Sequence, residues 1–419
     1  MKKTLLFIVL ILANLNFAQN VNIPDSNFKN ALLAHGVTIT GSGISKIDTN
    51  NDGEIQITEA TAYTGLVNVG SKNISSLTGI EAFGNIAKLY CNSNSLTSIN
   101  VTQNTALIYL YCNNNQLTSL DVSQNVALTE LRCDFNQLLS LDITQNTALI
   151  QLICSSNHLT SLDVTQNTTL EFLICDYNSL TSLDVTQNTV LEYIYCHNNQ
   201  LTSLDLSQNI ALLELDCYFN QLTNLDVTQN TSLIYLYCNN NQLTSLDVAQ
   251  NTVLKELICS YNQLTSLDVA QNTALEYLAN SSNQLTYLNI ANGNNVSLTY
   301  FYTQNNSNLT CIQIDNGFTP PSNWNKDTTA SYSTNCALST NDFEFSKQVT
   351  IYPNPANAHF QVDLENSLEL KTITVYNNLG QQVLTTNLAK VNTSSLSKGM
   401  YYVEIVTNAG KANKKIIIE

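Results

Sequence analysis

Basic residues are scarce in this chain. Lys and Arg total 16 against 32 Asp and Glu, a formal net charge of −16 over 419 residues. That balance disfavours nucleic acid and anionic membrane surfaces as partners, since both repel an acidic chain. Histidine is scarcer still, and His35, His158, His197 and His359 are scattered. No GxSxG, no HExxH and no Gly-rich phosphate loop occurs. Glu214 and Asp216 could pair as carboxylates on a strand, but nothing in the pattern supplies a pocket to exclude water. The sequence therefore argues against an enzyme. Beyond the N-terminus, no segment approaches the ~18 apolar residues of a transmembrane helix.

What is abundant is repetition. A 21-residue pattern, LxxLxCxxNxLxxLDxxxNxx, recurs from about Leu89 to about Leu288. One copy reads LIYLYCNNNQLTSLDVSQNVA from Leu107, and the next LTELRCDFNQLLSLDITQNTA from Leu128. A fixed period of this size means stacked units, each too small to bury its own apolar face. One column holds Leu110, Leu131, Leu152, Leu173 and Leu215; two residues on, Cys91 to Cys259 form a second. Leu and Cys alternate with variable residues, which predicts a short strand with one side inward. A third column, Asn94 to Asn283, falls where the chain must turn. Its side chains are expected to satisfy backbone groups that no strand partner reaches. Pairs such as Leu120-Asp121 supply a second apolar layer and a polar turn on the opposite side.

This pattern resembles the leucine-rich repeat in its short bacterial 21-residue form. The Cys column resembles the cysteine ladder of internalin J. The resemblance implies a curved solenoid, with a parallel β-sheet on the concave face and a mostly non-helical convex side. Ten or eleven strands at ~4.8 Å give a rod on the order of 50 Å. In-register strands point neighbouring Cys side chains the same way, which is poor geometry for bridging. The nine repeat cysteines therefore read as small buried hydrophobes. Their spacing suits no metal site.

The ends are built differently. Residues 1–18, with two Lys before an apolar run and Asn16-Phe17-Ala18 at its end, read as a secretory signal peptide. Residues 19–85 form an expected N-terminal cap, in which Pro24-Asp25-Ser26 and FKNALLAH predict an amphipathic helix covering the first sheet edge. Within it, residues 48–59 match the EF-hand loop pattern. Asp48, Asn50 and Asp52 stand at its first, third and fifth positions. Gly53 allows the turn, Glu54 offers its carbonyl and Glu59 a bidentate carboxylate for Ca²⁺. The loop resembles EF-hand and dockerin-type sites, although the flanking helix pair is incomplete. Repeats are expected over 86–310, and a C-terminal cap over 311–338. Cys311 and Cys336 flank a loop holding Pro320, Pro321 and Trp324 and are expected to form a disulfide, worth about 3 kcal/mol in the chain-entropy model.

After an expected linker at 339–348, residues 349–419 alternate apolar and polar in short runs, predicting a small β-sandwich of about seven strands. Tyr352-Pro353-Asn354-Pro355, Val375-Tyr376, Leu379-Gly380, Leu396, Gly399, Tyr401, Val403 and the terminal Lys-Ile-Ile-Ile run carry a resemblance. They resemble the C-terminal sorting domain of the type IX secretion system of Bacteroidetes. That implies handling by the type IX machinery and a secreted or outer-surface location on a Gram-negative cell.

Function should sit at the variable strand positions. Three residues before each Cys stand Tyr109, Tyr193, Glu214 and Tyr235; one before stand Tyr111, Tyr195, Asp216 and Tyr237. Tyr offers large contact area and one polar end. The expected function is binding of an extracellular protein or glycan through the concave face. The alternative is a structural spacer, since Tyr and Ile are also good strand residues.

Overall fold

The computed structural model describes residues 19–336, 349–364, 368–377, 381–408 and 411–419. The expected signal segment, the expected linker and the Leu379-Gly380 pair lie outside the described residues. The chain forms two compact units, Met1–Tyr332 and Ser333–Glu419.

In the first unit each repeat coil contributes a three-residue strand to one long sheet. Tyr109–Tyr111 pairs in parallel with Glu130–Arg132, which pairs with Gln151–Ile153, and so on to Tyr277–Ala279. Partners are offset by one repeat, so Leu110 faces Leu131 and Tyr109 faces Glu130. Each sequence column is therefore a column in space. The central residue of each strand is buried and its neighbours are half-buried. Leu110, Cys112, Leu117, Leu120, Val122 and Leu128 all point inward, and one continuous core runs from Phe28 to Ala330. No single coil could hold such a core. Each buried Leu contributes about 1.5–3 kcal/mol only because the coils above and below cover it.

Two asparagine columns close the coils. Asn115 donates from Nδ2 to the carbonyls of Cys91 and Cys112, both at 3.0 Å, and its Oδ1 accepts from the Leu96 N–H. Asn114, the residue before it, takes a left-handed φ of 54°. The second column, Asn104 to Asn272, is fully buried. There Asn125 donates to the carbonyls of Val101 and Asn104, at 3.0 and 2.9 Å. The repeat pattern contains this second column, but its role emerges only once the coils are stacked.

The sheet has thirteen strands, not ten or eleven, because both ends add to it. Leu66–Asn68, from the region expected to cap the repeats, is the first strand and pairs with Lys88–Tyr90. Ahead of it, helix Ser26–Leu33 is capped by Asp25, whose Oδ1 accepts the Phe28 N–H, and it buries Phe28 and Leu32 in the core. At the far end, Tyr300–Thr303 and Asn325–Lys326 complete the sheet. A second parallel sheet forms on the Leu-Asp side from Ser266–Asp268, Tyr287–Asn289, Cys311–Gln313 and Ser331–Ser333. Trp324 packs against Phe301 and Phe318, with ring centroids 4.8 and 5.3 Å away, and its Nε1 donates to the Leu298 carbonyl. Cys311 and Cys336 are disulfide-bonded. Among the described residues, the nine repeat cysteines are free and buried.

The second unit is antiparallel. Val349–Tyr352, His359–Leu364 and Lys390–Asn392 make one sheet; Leu370–Tyr376, Gln382–Thr386, Gly399–Thr407 and Lys411–Ile418 make the other. Phe360, Val362, Ile373, Val403 and Ile416 share their common core, a small β-sandwich. Among the described residues, no helix is long and apolar enough to cross a membrane.

Candidate binding face

Strand geometry decides what the outer sheet face presents. Side chains flanking each buried Leu stand on the opposite side, about 4.8 Å from their counterparts in the next coil. At that spacing aromatic columns stack. Phe172 lies 4.7 Å from Tyr193, nearly parallel, and Tyr90 lies 4.3 Å from Tyr111. The Tyr side chains that flank the buried centres are half-buried.

The eight expected residues fall into two groups. Tyr109 and Tyr111 form the first, with Lys88 Nζ 4.2 Å from the Tyr109 ring and the Arg132 guanidinium 4.7 Å from that of Tyr111. The Tyr111 hydroxyl donates to Glu130. Gln151, Ile153, Phe172 and Ile174 separate this group from the second. There Tyr193, Glu214 and Tyr235 stand in one row, and Tyr195, Asp216 and Tyr237 in the other. The Tyr237 hydroxyl donates to Glu256 at 2.8 Å.

The second group is electrostatically unbalanced. Burial, with Glu214 and Asp176 nearby, pushes the Asp216 carboxyl up to about 7. Its Oδ1 is buried without a hydrogen-bond partner among the described residues. Burial also raises Glu214, with Glu256 adding and the Tyr195 hydroxyl opposing. The hydroxyls of Tyr195 and Tyr237 are raised by burial and then by these carboxylates. Such a patch favours a neutral, hydroxyl-rich or cationic guest over an anion.

Beside it lie residues the sequence reading left out. The column just after the cysteines brings Asp176, His197 and Tyr218 together. His197 Nε2 sits 3.6 Å from Asp176 Oδ2, and the ring stacks on Tyr218 at 4.2 Å. Burial lowers the His197 pKa and Asp176 opposes it. Among four scattered His, the sequence gives no reason to join His197 to Asp176, one coil away.

The acidic loop of the cap also folds as one turn. Asp48 accepts the N–H groups of Asn51 and Gly53, Asn50 that of Asp52, and Asp52 that of Glu54. Glu59 caps the helix Ile57–Ala62. Its Oε1 accepts from Thr49 and its Oε2 from the Gln56 N–H. The Glu54 side chain pairs with Lys29 at 2.6 Å. The donor set is all oxygen, as Ca²⁺ requires. Both Glu59 oxygens already accept hydrogen bonds, with which a bidentate cation would compete. Among the described residues, no cluster of three acidic, His or Cys side chains is arranged for a metal.

Comparison with known proteins agrees with both units. Residues 350–419 match the family described as a secretion system C-terminal sorting domain, which indicates export. The functional domain of InlJ from Listeria monocytogenes, which includes a cysteine ladder, is 27% identical, with a TM-score of 0.62 over 96% of this chain and 98% of that one. An internalin, inlF, from Listeria monocytogenes shares the fold at 20% identity and a TM-score of 0.51, over 77% of this chain and 98% of that one. No curated protein sequence matches.

Proposed function

We propose that this protein is an exported extracellular binding protein, not an enzyme, and that it holds a protein or glycan ligand on the outer face of its long sheet. One observation carries this reading: Tyr193, Tyr195, Tyr235 and Tyr237 frame Glu214 and Asp216, and Asp216 has a buried oxygen that no group among the described residues satisfies. Leaving such an oxygen unpaired costs about 1–3 kcal/mol, which a ligand hydroxyl or ammonium would relieve. The likeness to an internalin functional domain supports a recognition role. On this reading the type IX machinery exports the chain through its C-terminal unit and leaves it released or attached at the outer surface.

The spacer reading draws on a different observation, that stacking alone accounts for part of the Tyr columns. The test is binding of the purified chain to immobilised matrix proteins, polysaccharides and bacterial surface glycans. Saturable binding that Tyr195→Ser with Tyr237→Ser weakens at least tenfold is expected. No binding to any member of the panel, from protein shown to be folded, would support the spacer reading.

A further inference from the structure

A second row of aromatics lies outside that patch. Two residues after each Cys the backbone takes a left-handed φ, from Ser93 to Ser282. Asn and small residues tolerate that conformation best, whereas bulky side chains are disfavoured there. Yet Phe135, Tyr177, Phe219 and Tyr261 occupy the position, with φ of 52, 50, 49 and 57°. All four are more than half exposed, at 56, 54, 51 and 59%. Ser156, Asn198 and Asn240 fill the coils between them. The aromatic therefore recurs every second coil, a 42-residue period inside the 21-residue one.

The row is rigid. Its backbone is hydrogen-bonded coil to coil, Phe135 N–H to the Ser155 carbonyl at 3.0 Å and Tyr177 N–H to that of His197 at 3.1 Å. Tyr177 meets His197 edge-on at 5.3 Å, and Phe219 meets Tyr218 edge-on at 5.7 Å. Successive aromatics are thus held about 9.6 Å apart, two strand spacings. Phe135 and Tyr177 line an open depression of ≈ 400 Å³ together with Asp134, Ile153, Ser155, Ser156 and Asp176.

We infer that this row binds an extended 1,4-linked glycan, one disaccharide per two coils. The flat apolar faces of the sugars would lie on the rings, and their hydroxyls would reach Asp134, Ser155 and Asp176. A translational period of this kind fits a polymer with its own fixed repeat. An extended 1,4-linked disaccharide unit has nearly the same length as two coils. A folded protein partner offers no such repeat, and the exposed rings would then need no common spacing.

The test is calorimetric titration of the full chain with cellohexaose, chitohexaose, their disaccharides, and hexalysine as a non-sugar control. At least one hexaose should bind saturably and at least tenfold tighter than its disaccharide. Phe135→Ser with Tyr177→Ser should weaken it at least tenfold. Ser already occupies the same position at Ser156 and Ser282, so the melting temperature should be unchanged or higher. Hexaose binding should survive Tyr195→Ser with Tyr237→Ser. Failure of both hexaoses to bind, indifference to the Phe135 and Tyr177 changes, or capture of hexalysine alone overturns the inference. Loss of hexaose binding only in the Tyr195 and Tyr237 variant overturns it too, while leaving the sheet-face reading standing.

Discussion

Asn157 shows what one side chain does in a coil too tight for water. Its Nδ2 donates to the carbonyls of Cys133, Cys154 and Ser155, and its Oδ1 accepts the Leu138 N–H. Asn157→Ala strands buried backbone groups in two adjacent coils and should cost about 2–4 kcal/mol, read by urea unfolding. A loss below ~1 kcal/mol would mean that water reaches these groups. Asp216 makes a pH-dependent contribution of the opposite kind. Its folded pKa of about 7 exceeds the unfolded value near 4, so the folded chain holds the extra proton between them. Stability contributed by this group is therefore present below about pH 4 and is lost as pH rises toward 7. Asp216→Asn should stabilise the protein by about 1–3 kcal/mol at pH 8 and by nothing at pH 4, in melts compared across pH. Equal effects at both pH values would contradict the assignment. The turn role of Asn157 was legible in the sequence, because its whole column has one job. The state of Asp216 was not, because it depends first on burial, which only the stacked coils produce, and then on Glu214 beside it and Asp176 from a coil far off in sequence.

At the scale of elements, periodicity carried the strands and the cysteine column. Burial pushes these thiols up, to about 12 for Cys91 and Cys238, where a backbone hydrogen bond opposes it. They are accordingly poor nucleophiles and poor metal ligands at neutral pH. The half-burial of the Tyr columns was not legible, since it comes from side chains packed one strand apart, ring on ring for Tyr90 with Tyr111 and Phe172 with Tyr193. Nor was the doubled period after the cysteines, which reads as ordinary variation until each position is seen to share a left-handed backbone. The acidic loop yields an element-scale prediction, because its spacing suits calcium while its helix cap competes for Glu59. Calorimetry should give weak Ca²⁺ binding, with Kd on the order of 10⁻⁴–10⁻³ M, weakened further by Asp48→Asn. No heat at millimolar Ca²⁺ would leave the loop as a metal-free turn.

For the molecule as a whole, two units divide the work. The solenoid repeats one coil until its ends are capped, and caps broke the rule that made the repeats readable: Leu66–Asn68 and Asn325–Lys326 joined the sheet without carrying the pattern. The antiparallel unit was legible from its motifs, and its match to a sorting domain gives a direct expectation. Removing residues 345–419 should abolish export, with the truncated chain retained inside the cell by immunoblot of fractions. Undiminished export would separate this unit from sorting. The central claim, that the outer sheet face recognises a ligand, is tested most directly by comparing two faces of one solenoid. Binding of the intact chain to its captured ligand would be measured beside Tyr195→Ser with Tyr237→Ser, and beside Gln187→Ser with Gln208→Ser on the opposite turns. The first pair should lose at least tenfold and the second nothing. Equal loss in both, or loss only in the second, would contradict it.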